Sequence, residues 1–131
     1  MSKLVDYING LSVKENKGSC NEDSIRKAEQ ELGLVFSEEY KDLLLNFGTA
    51  SLNYIDILST INNDHYNVVS KTKELRSVFS NLDANLYVVV DAGVDGVYAL
   101  QDKNGKIYEI NGSDIMEAYD SLLDFIKDIE G

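Results

Sequence analysis

The sequence has no proline and no tryptophan, and it has only one cysteine and one histidine. Because a single thiol, Cys20, cannot close an internal disulfide, we expect a protein of the reducing cytoplasm. His65, without a second histidine or clustered cysteines, cannot build an ordinary zinc site. The chain also lacks the apolar segment of a signal peptide and any run near the roughly 20 residues of a membrane span. We therefore expect a cytoplasmic protein with no metal, no cofactor and no membrane contact.

Positive charge is also scarce. The chain carries 12 Lys and Arg against 23 Asp and Glu, which gives a formal net charge of −11 at pH 7. Residues 81–131 hold 11 of the carboxylates and only 3 of the cations, a net charge of −8. Such a balance opposes binding to nucleic acid or to an anionic membrane surface. It favours a basic protein partner, or it serves solubility alone.

The stretch formed by residues 86–110 has the spacing of an antiparallel meander. Its three β-rich runs cover residues 86–90, 97–101 and 106–110, and glycine-bearing turns separate them. The first run, LYVVV, is largely apolar on both faces, so we expect it inside the sheet and not at an edge. A sheet with two apolar faces needs cover on both, and the rest of the chain must supply it.

Helical spacing of apolar residues predicts five helices around this meander. The predicted helices cover residues 4–8, 21–33, 37–48, 64–79 and 120–129. The third begins at Ser37, whose hydroxyl can cap it, and buries a stripe formed by Tyr40, Leu43, Leu44 and Phe47. In the fourth, capped by Asp64, we expect Val78 to be buried and Lys71 to face solvent.

The remaining segments complete the predicted fold. Residues 13–21 are polar and indicate an exposed loop, residues 34–36 a buried connector, and residues 52–58 a short strand that pairs with the meander. With 131 residues and a 44% hydrophobic fraction, the chain fits a single domain over residues 1–131. The sequence therefore predicts an α+β fold with a mostly antiparallel sheet of about four or more strands, covered by helices.

Residues 28–48, AEQELGLVFSEEYKDLLLNFG, resemble the signature of the SUKH superfamily, with a Glu-x-x-Leu-Gly helix end, a short apolar link, a tyrosine-containing helix and a closing glycine. The matching positions are Glu29, Leu32, Gly33, Tyr40, Leu44 and Gly48. The likeness continues in residues 67–72, in the meander between residues 87 and 108, and in the final helix after Ala118. The chain departs from the family in lacking its frequent tryptophan and in having Phe36 and Ser37 where the family usually has Leu-Pro. A serine can cap the helix that a proline would pre-set.

This resemblance implies a functional class. Many bacterial SUKH proteins look like immunity proteins, which bind and neutralise a toxin encoded beside them, often a nuclease, whereas eukaryotic members are regulatory or scaffolding proteins. The resemblance thus implies a non-enzymatic antitoxin whose partner is a cognate protein toxin, with a regulatory or scaffolding module of the same fold as the alternative. The acidic composition favours the first, because a nuclease binds phosphate with Lys and Arg that a carboxylate-rich surface can occupy.

Six side chains are candidates for contacting that partner. They are Glu38, Glu39, Tyr54, Asp56, Asp91 and Asp95. Tyr54 beside Asp56 could form a contact anchor, although a tyrosine on a strand more often packs in the core. Asp91 and Asp95 could present paired carboxylates to a basic partner or, weakly, to a cation, although a structural turn explains them more simply. A solvated helix face equally explains Glu38 and Glu39.

Catalytic interpretations find little support in the sequence. Cys20 and His65 could be imagined as a nucleophile and its base, but Cys20 lies in a polar segment without a known local signature. The segment formed by residues 93–96, Gly-Val-Asp-Gly, does not match a phosphate-binding loop. A hydrolase with paired carboxylates is disfavoured because no acid/base pair has both a pocket and a partner visible in the sequence. We therefore expect no enzyme.

Overall fold

The computed structural model describes residues 3–10, 15–16, 20–47, 50–51, 55–60, 67–91, 97–112 and 114–130. These ranges contain five α-helices and seven β-strands. In chain order they are α1 (Lys3–Asn9), β1 (Glu15–Asn16), α2 (Glu22–Leu32), α3 (Glu38–Phe47), β2 (Ala50–Ser51), β3 (Asp56–Ile57), α4 (Val68–Val78), β4 (Tyr87–Asp91), β5 (Val97–Gln101), β6 (Ile107–Asn111), β7 (Asp114–Tyr119) and α5 (Leu122–Glu130).

The seven strands form one sheet in the order of the chain, β1 to β7, and each pairs antiparallel with the next. The predicted meander is confirmed as β4, β5 and β6, with each boundary within one residue of its prediction. All of residues 86–90 are buried, so the first meander strand does lie inside the sheet. The α+β prediction with a mostly antiparallel sheet is therefore confirmed.

Helices α1, α3 and α5 lie against one face of the sheet. Tyr87 pairs with Gln101, which pairs in turn with Ile107, so these three side chains share a face. The ring centroids of Phe36 and Tyr40, at the start of α3, lie 4.6 and 5.4 Å from that of Tyr87. Helix α1 contacts α3 and α5, which completes this layer of the core.

Helix α4 packs beside β4 instead. Its Thr72 is fully buried, and the Thr72 hydroxyl accepts a hydrogen bond of 3.0 Å from the backbone N–H of Val88. This bond satisfies a donor at a position where β4 has no strand on its β3 side, since β3 pairs only with Val90 and Asp91 among the described residues. The helix thus closes the part of the sheet that the short strand β3 does not reach.

Local capping explains where the predicted helices begin and end. The Asn21 side chain accepts from the N–H of Ser24 at 2.8 Å, and Gly33 ends α2 in the left-handed conformation with φ of 68°. The Ser37 hydroxyl accepts from the N–H of Tyr40 at 3.0 Å and begins α3 as predicted. Asn67 caps α4, and the cap predicted at Asp64 lies outside the described residues.

Four predictions about single side chains were wrong. Val35 is 53% exposed because it points away from Leu34 and Phe36 in an extended connector. Val78 is 66% exposed because the buried stripe of α4 runs through Val68, Thr72 and Leu75 instead. Lys71 is partly buried rather than turned fully outward, and Cys20 is buried although the segment around it was predicted to be an exposed loop. Each error concerns which side of a short segment faces the core.

Strand β7 was not predicted. It forms a hairpin with β6 through Gly112, which has a φ of 68° that favours glycine, and it ends the sheet. An irregularity between Ile107 and Tyr108 leaves Ala118 opposite no residue of β6. Helix α5 follows directly and packs back on the strand, where the rings of Tyr119 and Phe125 meet edge to face at 5.4 Å.

Candidate partner-binding surface

Asp56 and Asp91, two of the predicted contact residues, lie directly opposite each other on β3 and β4. Their side chains therefore share a face of the sheet. The Asp91 carboxylate lies 3.5 Å from the ammonium of Lys71, which also lies 3.4 Å from Glu74. Partial burial acts to lower the pKa of Lys71, but the carboxylates of Glu74 and Asp91 outweigh it and raise that pKa. Lys71 thus partly neutralises the Asp91 carboxylate from within the protein.

Two other predicted contact residues, Tyr54 and Asp95, lie outside the described residues. Of the two that the structure does describe, Asp56 and Asp91, it brings both together. The roles of all four as contact residues stay predictions.

The adjacent residues Glu38 and Glu39 differ completely in their surroundings. The Glu38 side chain is 92% exposed, with its carboxylate 3.6 Å from the ammonium of Lys41. The Glu39 carboxylate turns inward and accepts hydrogen bonds from the N–H groups of Leu122 at 2.8 Å and Leu123 at 3.1 Å. These are free donors of the first turn of α5, so Glu39 caps that helix from α3. Only Glu38 presents its charge fully to solvent.

Glu39 also ends a buried polar network that joins α3 to the sheet. The amide oxygen of Gln101 accepts from the hydroxyl groups of Ser37 at 3.0 Å and Tyr87 at 3.1 Å. The amide nitrogen of Gln101 donates to Glu39 at 2.8 Å and to the carbonyl of Gly105 at 3.0 Å. The N–H of Ser37 donates to the Tyr87 hydroxyl at 2.8 Å.

This network, defined by Ser37, Glu39, Tyr87 and Gln101, holds its hydroxyl groups protonated and its amide fixed. Burial raises the pKa of Tyr87 far above its usual value. Because Tyr87 and Gln101 are fully buried and their polar groups are hydrogen-bonded, the arrangement joins three elements and leaves only the partly buried Glu39 near solvent.

An open cleft of about 440 Å³ lies on the opposite face of the meander, which we name the edge cleft. Its lining residues are Asn81, Asp83, Asn85, Leu86, Asp102, Lys103, Asn104, Tyr108, Ile115 and Glu117. The lining contains three carboxylates and one ammonium group. Asp102 accepts from the Tyr108 hydroxyl at 3.3 Å, and burial followed by the Asp102 charge raises the pKa of Tyr108. The edge cleft is therefore a negatively charged concavity whose lining includes a tyrosine and an isoleucine.

A second, shallower depression of about 370 Å³ borders the end of β7. It is lined by Lys106, Glu117, Ala118, Tyr119, Asp120 and Asp124. Glu117 contributes to both concavities, with its carboxylate 3.3 Å from the ammonium of Lys106. The Tyr119 hydroxyl donates to Asp128, and this hydrogen bond raises the pKa of Tyr119 to about 12. Strand β7 thus contributes residues to two acidic concavities.

Sequence reasoning did not find the carboxylates of Asp83, Asp102 and Glu117 as a group. They come from three separate turns and strands that only the folded sheet brings together. One signal was present, because Asn111 and Gly112 form the dipeptide that most strongly indicates a hairpin. A hairpin predicted at this dipeptide would have added the strand that carries Glu117 to the predicted sheet.

Comparison with known proteins identifies a family. The family model SUKH_5, described as SMI1-KNR4 cell-wall, matches residues 1–130. No curated protein matches the chain. Within the part of the chain that the structure describes, no group of three or more His, Cys, Asp or Glu could hold a metal ion. No helix of those residues is long and apolar enough to cross a membrane.

Proposed function

The chain belongs to the SUKH family, which is associated with immunity proteins, and from this premise we propose that it neutralises a cognate, basic protein toxin in the cytoplasm. In this proposal the toxin is encoded beside it and is inhibited by occlusion of its surface, without catalysis by the inhibitor. A nuclease fits this role, because nucleases hold phosphate with Lys and Arg.

One observation carries the proposal beyond the family. The described part of residues 81–130 brings carboxylates to two concavities that β7 helps to line, in the segment of the chain that holds a net charge of −8. A cationic active site placed against this surface would find complementary charge. Such complementarity raises association rates, up to on the order of 10⁸–10⁹ M⁻¹s⁻¹ at low salt. Rapid capture suits an inhibitor of a lethal enzyme.

The test is co-expression with the C-terminal domain of the protein encoded beside it. We expect cells that make the domain alone to die and cells that make both proteins to grow. Purified proteins should form a complex that weakens as salt is raised, because exposed charges are screened. The matched control is a basic protein with a charge similar to that of the toxin domain, such as a histone. It should bind the chain much more weakly than the toxin domain does. Equal killing with and without the chain would refute the proposal.

The description of the matching family names the cell wall, which favours a second candidate function. This candidate is a regulatory or scaffolding module of the same fold with an endogenous partner. It predicts a stable complex in cells that lack the adjacent gene, whereas the immunity proposal predicts none. Deleting that gene and isolating the tagged chain distinguishes the two.

The predicted contact residues provide one test of where the toxin binds. Replacing Asp56 and Asp91 with lysine should weaken toxin binding if the contact lies on β3 and β4. Glu38→Lys tests the exposed end of α3 in the same way. Unchanged affinity in all three variants would place the contact elsewhere on the molecule.

A further inference from the structure

Strand β7 is an open edge of the sheet. Among the residues that the structure describes, it is the last strand in the sheet order and pairs only with β6. At six residues it is the longest strand, whereas β1 at the other end of the described sheet has two residues. Alternate N–H and C=O groups along an edge strand point away from its one neighbour and are available to another strand. Of the two described edges, only β7 is long enough to align several residues of a partner.

The first part of β7 is regular and accessible. Ile115, Met116 and Glu117 pair in unbroken register with β6, and the irregularity lies beyond them. Met116 is 64% exposed, and Asp114 and Glu117 are also exposed. Residues 114–117 thus combine regular pairing to β6 with exposed side chains at three of four positions.

The concavities beside β7 match the geometry of an added strand. Successive side chains of a strand point to opposite faces of the sheet, so every second side chain of the partner would point toward the edge cleft. Ile115 and Glu117 of β7 line that cleft together with Asp83 and Asp102, and Glu117 lies opposite Tyr108, so the cleft is on the face of the sheet to which Ile115 and Glu117 point. The side chains between would extend toward the face that carries Met116, because Met116 and Glu117 are consecutive and alternate.

Charge selects the kind of strand that fits. The edge cleft offers three carboxylates against Lys103, and the second depression offers Glu117, Asp120 and Asp124 against Lys106. Lysine or arginine at alternate positions would meet these carboxylates. A second copy of this chain would instead bring Asp114 and Glu117 of both β7 strands close together, and like charges on paired strands are destabilising. The outer edge of β7 therefore disfavours pairing with a second copy of this chain and favours a cationic segment.

We propose that the outer edge of β7 docks an extended cationic segment of the toxin as an additional strand, with Lys or Arg side chains in the edge cleft. This inference rests on the proposed immunity function and names the surface and the chemistry of its partner. Backbone pairing would supply affinity, and the acidic concavities would select the sequence.

The test uses Glu117→Lys with Glu31→Lys as its matched control. Both changes alter net charge equally, and the two glutamates are 65% and 58% exposed. Each also pairs with one lysine, Lys106 at 3.3 Å and Lys73 at 3.2 Å. We expect Glu117→Lys to weaken binding of the toxin domain by about ten-fold more than Glu31→Lys. Equal weakening would mean that only overall charge matters and would overturn the inference.

Amide hydrogen exchange supplies a second measurement on the unmodified proteins. In the complex, the amides of residues 114–117 should exchange more slowly than in the free chain, because an added strand would bond alternate N–H groups. A complex that forms and inhibits the toxin while these amides stay unprotected would overturn this inference and leave the immunity function standing. Protection of the same amides in the free chain, together with a dimer in solution, would assign the edge to a second copy. Absence of any complex would refute the immunity function itself.

Discussion

Two tyrosine hydroxyl groups on opposite faces of the sheet contact the same residue, Asp102, and have opposite surroundings. Tyr87 lies in the buried network, 3.4 Å from the Asp102 carbonyl and hydrogen-bonded to Gln101. Tyr108 lies in the edge cleft and donates to the Asp102 carboxylate. The first hydroxyl belongs to a closed group of satisfied side chains, while the second lies beside open carboxylates. A tyrosine hydroxyl thus stabilises the fold where water is excluded, as at Tyr87. At Tyr108, where water has access, a hydroxyl of the same kind is available to a partner.

The largest effect is expected from Gln101→Leu, a substitution in the buried network. The change removes the partner of the Tyr87 and Ser37 hydroxyl groups, and each unsatisfied buried group costs about 1–3 kcal/mol. We expect the free energy of unfolding to fall by about 2–4 kcal/mol in urea denaturation. Glu117→Gln in the edge cleft is the control and should stay within about 0.5 kcal/mol. Similar losses in both variants would show that the two regions do not differ in this way.

A smaller effect is expected from Glu39→Ala, compared with Glu38→Ala one residue earlier. Loss of the Glu39 carboxylate leaves the Leu122 and Leu123 amides uncapped, which should cost about 1–2 kcal/mol. Hydrogen exchange at these two amides should quicken in Glu39→Ala alone. Glu38→Ala, at a solvent-exposed side chain, should change stability by less than about 0.5 kcal/mol. Unaltered exchange in Glu39→Ala would contradict the capping role.

The smallest effect concerns Tyr119, beside the second depression. Its pKa is raised to about 12, so the folded chain holds a proton that the unfolded chain releases near pH 10. The resulting stabilisation is complete below pH 10 and is lost as pH rises through about 12. We expect Tyr119→Phe to lower the melting temperature by about 1–2 °C at pH 8, and the difference from the unmodified chain to vanish toward pH 12. A difference that stays constant over this range would show that the hydrogen bond to Asp128 has no such role.

Local signals in the sequence were sufficient to predict much of the fold. The boundaries of α2 and α3 follow from Asn21, Gly33 and Ser37, each of which acts through bonds to residues three or four positions away. The meander follows from short apolar runs and glycine-bearing turns. Strand β7 was missed because its sequence, DIMEAY, does not alternate: as an edge strand it is mostly exposed, with only two half-buried side chains. Periodicity predicts a strand only where one face is buried.

The candidate site could not be predicted to the same depth. Glu38 and Glu39 are indistinguishable in sequence, and the difference between them comes from partners 62 to 84 residues away. The edge cleft likewise depends on turns that meet only in the folded sheet. Ser37 shows the same limit, since its predicted role was the helix cap alone. Its N–H also donates to Tyr87, a bond that the proline usual in the family could not make.

The order of the strands has a consequence for how soon the protein is ready to act. Every strand pairs with its neighbours along the chain, and β4 to β7 are joined by short connections. Contacts between residues close in sequence favour rapid folding. The chain has no proline, so no slow isomerisation of a prolyl bond delays the last steps. A newly made molecule should therefore fold soon after synthesis, and early folding would suit the proposed role as an inhibitor.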